Sequence, residues 1–277
     1  MNPLSEVGLL VTRELRKSIR SVKGILMLVI SLLGAAGMAM ILNYLRKLDE
    51  AKLSPEQIRE LQEAALTKKY GSEEMGHYLA DAPSALLIML MASVWLTPLL
   101  IAVLGFDAVA ADIQYRSVRF WTVRSRRWTY FTGKFLGQWI VASTAVLALH
   151  AITWIIAIAF GGVEGAKVIG WGLRFYFVTV PITGAWCGIA ALVSSQFRTP
   201  ILGLLATCAT FFGLWLLDVV ALVSERVDFF KYVYPNTYDE WLLSPSPKMV
   251  TSGVAVCLAF AALTVASGSF IFAKRDV

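Results

Sequence analysis

Five arginines, Arg116, Arg119, Arg124, Arg126 and Arg127, crowd into one short segment between two long apolar stretches. A charge left in hydrocarbon costs roughly 2.5 to 3.5 kcal/mol on insertion scales, so the cluster must lie in water beside a membrane. The segment from Asp112 to Lys134 also carries Trp121 and Trp128. Cations interleaved with an aromatic anchor suit the recognition of a partner protein, because the charges steer and orient while the ring fills a groove. The chemistry expected here is docking of a cytoplasmic partner rather than bond making.

Catalytic and nucleotide-binding patterns are absent from the sequence. Gly133-Lys134 is followed by Phe135, and Trp128 stands where G-x-x-x-x-G-K requires its first glycine, so the chain has no phosphate-cradling loop. Neither H-E-x-x-H nor G-x-S-x-G occurs, and His77 and His150 alone cannot make a multi-histidine metal site. Cys187, Cys208 and Cys257 sit in apolar stretches without metal-ligand spacing and read as small packing residues. Two ionisable residues at depth are candidates for a transport pathway. His150 is either a proton or ligand group or a hydrogen-bonding partner of a neighbouring helix. Asp218 is either part of a pathway or an interfacial carboxylate reaching water.

The elements that would position these residues are membrane spans. Of 277 residues, 57% are hydrophobic and 16% charged, a departure from soluble composition. Spans of about 20 apolar residues are read at about 24–45, 85–106, 135–160, 169–193, 200–223 and 249–272. The expected fold class is an all-α integral membrane protein of six transmembrane helices in one permease-like domain, 1–277. A secretory signal is rejected because the first apolar run continues to spanning length. The net charge of +6 raises nucleic acid as a ligand, but basic residues flanking apolar spans are better explained by orientation and lipid headgroups, so no nucleic acid is expected.

Residues 1–23 are expected to form an interfacial amphipathic helix, with Val7, Leu10, Val11, Leu15 and Ile19 mostly on one side and Arg13, Arg16, Lys17 and Arg20 on the other. The insert 46–83 contains Ser54-Pro55-Glu56-Gln57, a capping box with proline at the first helical position, and Gly71 as a stop. A helix over about 55–69 follows, with a thin stripe of Ile58, Leu61 and Ala65 that packs on the membrane domain or a second subunit, or gates a substrate. Close helix approach is suggested by Gly184-x-x-x-Gly188, Gly203-x-x-x-Thr207 and Ala209-x-x-x-Gly213. The segment 224–248 is rich in aromatics and is expected at the membrane surface or as a re-entrant loop. Fourteen of the 25 Lys and Arg residues fall on the side of the termini and the arginine segment, and their density at span ends puts that side in the cytoplasm.

These residues together resemble the permease subunits of ABC-2 type transporters. Val11 to Arg20, V-T-R-E-L-R-K-S-I-R, is similar to the family's basic interfacial helix. Phe106-Asp107 to Asp112, then Arg116-Ser117, resembles its acidic stretch and Gly-Thr pair. Arg127 with Gly133-Lys134 matches its serine-arginine and glycine-lysine elements, and Phe272 to Val277 is similar to its F-x-R-R-D-L ending. Two departures stand out: Arg116 replaces the usual glycine, and Arg124 the usual proline before the serine-arginine pair.

The resemblance implies an exporter of two permease copies, a homodimer or a pair of close relatives, with two cytoplasmic ATPase subunits in a bacterial or archaeal plasma membrane. ATP and Mg would be bound by the ATPase and no cofactor by this chain; membrane lipids surround it. Residues 107–134 become the coupling segment, with Asp107, Asp112, Arg116, Arg119, Trp121, Arg124, Arg126 and Arg127 as its contact residues. The alternative class is an ATPase-independent channel or a scaffold of an envelope complex. A channel requires a ring-forming polar stripe, which the spans lack.

Overall fold

The computed structural model describes residues 2–21, 24–25, 29–30, 32–34, 36–37, 40, 54–160, 163–223 and 225–274, and every regular element among them is helical. The first expected span, about 24–45, lies mostly outside the described residues. Among the described residues five helices are long and apolar enough to cross a membrane. They are α4 (Ser84–Gly105), α7 (Arg127–Phe160), α8 (Gly165–Ser194), α9 (Pro200–Val223) and α11 (Pro247–Ala273). The remaining helices are α1 (Pro3–Arg20), α2 (Pro55–Tyr70), α3 (Glu73–Ala80), α5 (Ala110–Gln114), α6 (Val118–Arg124) and α10 (Asp239–Leu243), with 3-10 turns at Glu225–Val233 and Pro235–Tyr238. The expected boundaries of four spans agree within a few residues. The exception is α7, which begins at Arg127 and so carries the end of the arginine segment in its own first turn.

The capping chemistry of the insert forms as its sequence dictates. Ser54 and Gln57 bond each other's backbone N–H at 3.3 and 2.9 Å, and Gly71 ends α2 at φ 67°, a left-handed conformation that glycine adopts without strain. The buried stripe, however, is Leu66 and Tyr70, whereas Leu61 and Ala65 are exposed. The helix turns because α3 folds back on it: Gly76 lies against the Thr67 side chain, and Gln62 donates to the Ala82 carbonyl at 3.3 Å.

Helix α8 is the centre of the bundle, with 78% of its most apolar window enclosed against 17% for α9 and for α11. Its glycines permit this. A methyl group at Gly184 would stand 2.8 Å from the Trp139 ring of α7, and one at Gly188 would stand 3.3 Å from the Ala261 backbone of α11. Gly203 of α9 is likewise pressed on the Phe106 carbonyl, which a methyl group would approach to 2.7 Å. Gly213 meets nothing within 4 Å, so the Ala209-Gly213 pattern marks no close approach within the described chain.

The segment after α9 dips inward. Asn236 accepts a hydrogen bond from Trp186 Nε1 at 2.9 Å and donates to the Val94 carbonyl at 3.0 Å and Tyr234 Oη at 3.1 Å. Val94 lies midway along α4. Pro98 explains this contact: proline has no N–H, so it leaves the carbonyl four residues earlier without its helical donor, and that carbonyl belongs to Val94. Asn236 supplies the missing donor from another element. Asn236 of the aromatic segment is therefore held against the middle of α4 by a specific bond. Arg174 holds its far end by donating to the Leu243 and Ser244 carbonyls at 3.2 and 2.7 Å.

Replacing Asn236 by Ala should lower stability by about 2–3 kcal/mol, because buried Trp186 Nε1 and the Val94 carbonyl both lose partners. In a Pro98→Ala background the loss should shrink, since residue 98 regains an N–H for Val94. Thermal unfolding of the four proteins in one detergent measures the cycle; equal losses in both backgrounds would show that the Val94 bond carries no energy.

Candidate coupling surface and the buried charges behind it

The arginine segment is a short helix held on a platform. Helix α4 breaks at Phe106, and Ser194 of α8 occupies the break: its Oγ donates to the Phe106 carbonyl at 2.8 Å and accepts from the Val109 and Ala110 N–H groups at 3.3 and 3.2 Å. One hydroxyl thus satisfies an orphan acceptor and two orphan donors at a helix junction. The chain then runs through α5, turns at Arg116 and enters α6. Arg116 has φ 55°, the left-handed region that costs an L-residue roughly 1–2 kcal/mol and that glycine enters freely. The turn itself therefore favours a glycine at this place. Here an arginine meets it under strain.

The platform beneath is charged and dry. Lys134 of α7 has a fully buried side chain, and its Nζ lies 2.7 Å from Glu14 of α1 and 2.7 Å from Asp112 of α5. Tyr130 donates to Asp112 Oδ2 at 2.6 Å, and its ring stacks on Phe272 of α11 with centroids 5.5 Å apart. Glycine makes the close approach of α1 possible. A methyl group at Gly133 would stand 2.6 Å from Leu10 Cβ, and one at Gly137 would stand 2.6 Å from Glu14 Cβ. Two glycines four apart thus form a groove on α7 that receives α1 and brings Glu14 to Lys134.

One turn away, Glu6 accepts from the Thr129 hydroxyl at 2.9 Å and the Arg126 N–H at 3.3 Å. These bonds, Thr129 first, hold the Glu6 carboxyl below its ordinary value. A depressed value means that the contact contributes stability above the ordinary glutamate range and loses it as pH falls through the lowered value. Helix α1 therefore buries Glu6, Leu10 and Glu14, a stripe at four-residue spacing, while Leu4, Leu9 and Ile19 remain exposed. The side turned to the bundle is not the apolar side read from the sequence.

The residues expected at the docking surface divide into two groups. Arg116, Arg119 and Arg126 are exposed; Arg124 closes α6, and its side chain lies outside the described ones. Asp107 is half-buried at the helix break. Asp112 is buried in the charge cluster, Arg127 donates to the Ala273 carbonyl of α11 at 2.6 Å, and Trp121 is half-buried under the Arg13 guanidinium, 4.2 Å from its ring centroid. In place of Trp121, the outward apolar groups are Tyr115, Phe120 and Val123, at 75%, 74% and 86% exposure. Helical spacing could have found two of them: residues 119, 120 and 123 share one face of α6, which has Val118 on the inner side. The candidate pathway residues are far from this site. His150 Nε2 lies 3.3 Å from Ser93 Oγ, and Asp218 Oδ1 accepts from Thr237 at 3.4 Å. Among the described residues no cluster of His, Cys, Asp or Glu could hold a metal ion.

The family model described as ABC-2 family transporter protein matches residues 9–277, nearly the whole chain. The chain belongs to the ABC-2 transporter family. A comparison with curated proteins finds no match. Within this ABC-2 protein the matched stretch takes in most of α1, the cluster of Lys134, Glu14 and Asp112 and the five apolar helices, while Glu6 precedes it. Membership together with the five apolar helices makes it a multi-pass membrane transport protein.

Lys134→Met should destabilise the protein by about 3–5 kcal/mol, because Glu14 and Asp112 are left buried without their cation. Adding Glu14→Gln and Asp112→Asn should recover most of the loss, since no unpaired charge then remains. Thermal midpoints of the single and triple variants test this, and a triple variant less stable than the single would contradict the charge-burial account.

Proposed function

We propose that this chain is the membrane-spanning half of an ATP-driven exporter, working as two permease copies with two cytoplasmic ATPase subunits that bind ATP and Mg. The observation that supports it best is the α6 face: Arg119, Phe120 and Val123, with Arg116 in the turn before them, are exposed while the other side of the segment is tied to a buried charge cluster. An exposed arginine and aromatic pair on a rigid support is the composition of a protein-binding hot spot. A merely lipid-facing topology signal would not need that support. In this reading residues 107–134 are the coupling segment, and closure of the ATPases pushes on α6 and biases the spans between inward and outward arrangements.

The proposed topology has six spans, the first within 24–45, with an amino-terminal helix lying in the cytoplasmic interface of a bacterial or archaeal plasma membrane. Both termini and 107–134 face the cytoplasm, and 46–83 and 224–248 face outside. The exposed Leu4, Leu9 and Ile19 of α1 fit an interfacial position, since they give the helix a lipid-facing side opposite its buried glutamates. ATP hydrolysis belongs to the partner.

Arg119→Glu combined with Phe120→Ala should weaken ATPase recruitment by about thirtyfold or more, the loss of a typical hot spot, with the thermal midpoint of the permease unchanged. Trp121→Ala should instead lower the midpoint, because that ring packs inside. Co-purification and binding measurements decide between them, and undiminished recruitment by the double variant would move the docking surface elsewhere. Single cysteines at Ser72 and Ser125 in a cysteine-free background should label from opposite sides of intact cells and inverted vesicles; labelling of both by an impermeant reagent in intact cells would overturn the topology.

A further inference from the structure

A groove runs between α7 and α11 at the end of the bundle where both helices carry basic residues. One wall holds Trp128, Phe135 and Trp139 of α7, and the other holds Leu258, Ala262 and Ala266 of α11. The open furrow has a volume of about 440 Å³, within the roughly 300–1,000 Å³ of ligand sites. Large rings facing alanines create the furrow, because α11 offers too little side chain there to meet α7.

The rim supplies what the walls lack. At the mouth, Arg127 donates to the Ala273 carbonyl and lashes the two helix ends together, while Lys274 and Arg126 are exposed beside it. Lys274 Nζ lies 4.1 Å from the ring centroid of Phe270, which follows the groove residue Ser269 on α11. Glu6 faces Arg126 and accepts from its N–H, which leaves the described rim with an excess of positive charge. A furrow with apolar walls and a cationic mouth matches a molecule with an anionic head and an apolar tail. A second copy of this chain fits poorly: a twofold axis along the membrane normal would bring two identical basic rims to the same depth.

We propose that this groove holds an acyl chain of an anionic phospholipid, with its phosphate on the Arg126 and Lys274 rim. The orientation proposed above assigns it to the inner leaflet, but the site itself does not depend on that orientation or on ATPase docking. Its walls and rim come from two helices of one chain. Binding would therefore brace the first turn of α7 against the last turn of α11, next to the buried Lys134 cluster.

The full-length protein, alone in neutral detergent, is titrated with phosphatidylglycerol or phosphatidylcholine whose acyl chains carry bromine, a contact quencher of tryptophan. Trp128 and Trp139 should be quenched saturably, with half-saturation about thirtyfold lower for phosphatidylglycerol, the preference expected of two surface cations. Arg126→Gln with Lys274→Gln should remove that preference and leave a weaker, headgroup-independent quenching. Ala262→Phe with Ala266→Leu should abolish the saturable component, as should Trp128→Phe with Trp139→Phe. Equal half-saturation for the two lipids in the wild type would overturn the proposal. So would quenching that survives filling of the groove, or a fall in particle mass when the groove is filled, which would make a second copy its occupant. The rim variant alters only exposed side chains, so the headgroup test stands even if the filled variant misfolds.

Discussion

An ammonium with no access to water must be answered by carboxylates, and the end of this protein that carries the arginine segment is arranged around that need. Lys134 sits between Glu14 and Asp112, residues 98 positions apart in the chain with the apolar helix α4 between them. The desolvation of such a cluster offsets most of its Coulombic gain, so its contribution is less to total stability than to geometry. No other placement of α1 or α5 leaves the three charges paired. Gly133 and Gly137 follow from the same constraint, because Glu14 reaches Lys134 only where α7 presents bare backbone to α1. Phe272 follows as well, since it stacks on the tyrosine that donates to Asp112.

The opposite end is governed by a neutral version of the same rule. Pro98 leaves a carbonyl without its donor in the middle of an apolar helix, where no water is expected to replace it, and Asn236 answers it from a loop that must dip inward to do so. Trp186 shares that asparagine and packs at 4.5 Å on Phe211 and 5.5 Å on Tyr234. One missing N–H therefore accounts for the inward position of Asn236. Aromatic content alone would have left it at the surface.

Local rules were legible in the sequence and pairings were not. The spans, the Ser54 capping box, the Gly71 stop and the Gly184-Gly188 approach each depend on residues within a few positions, so the sequence pattern reveals them. Which face of α2 is buried depends on where α3 folds back, and Leu66 and Tyr70 replace Leu61 and Ala65 for that reason. The same limit explains the coupling segment. Trp121 and Asp112 look like surface residues in a charged stretch, but Arg13 of α1 and Lys134 of α7 claim them from other helices. Phe120 and Val123 were readable by helical phase once α6 was placed, whereas the arginine count drew attention to charge rather than to the face.

The two ends are joined by α4, and its weak points decide how a push on α6 would travel in the proposed exporter. The Lys134 cluster cannot absorb displacement by sliding, because any separation strands a buried charge, so α1, α5 and the first turns of α7 must move together. The next compliant place is the break at Phe106, where Ser194 holds three backbone groups through a single hydroxyl and Gly203 crowds the same carbonyl. Beyond it, α4 is regular up to Pro98, where the ladder lacks one bond and Asn236 fills it. A helix with a joint at its inner end and a missing rung at its centre bends at those two places before it bends elsewhere. Motion imposed at α6 would thus reach the bond between Val94 and Asn236, which places the outer segment under the control of the inner surface through a single helix.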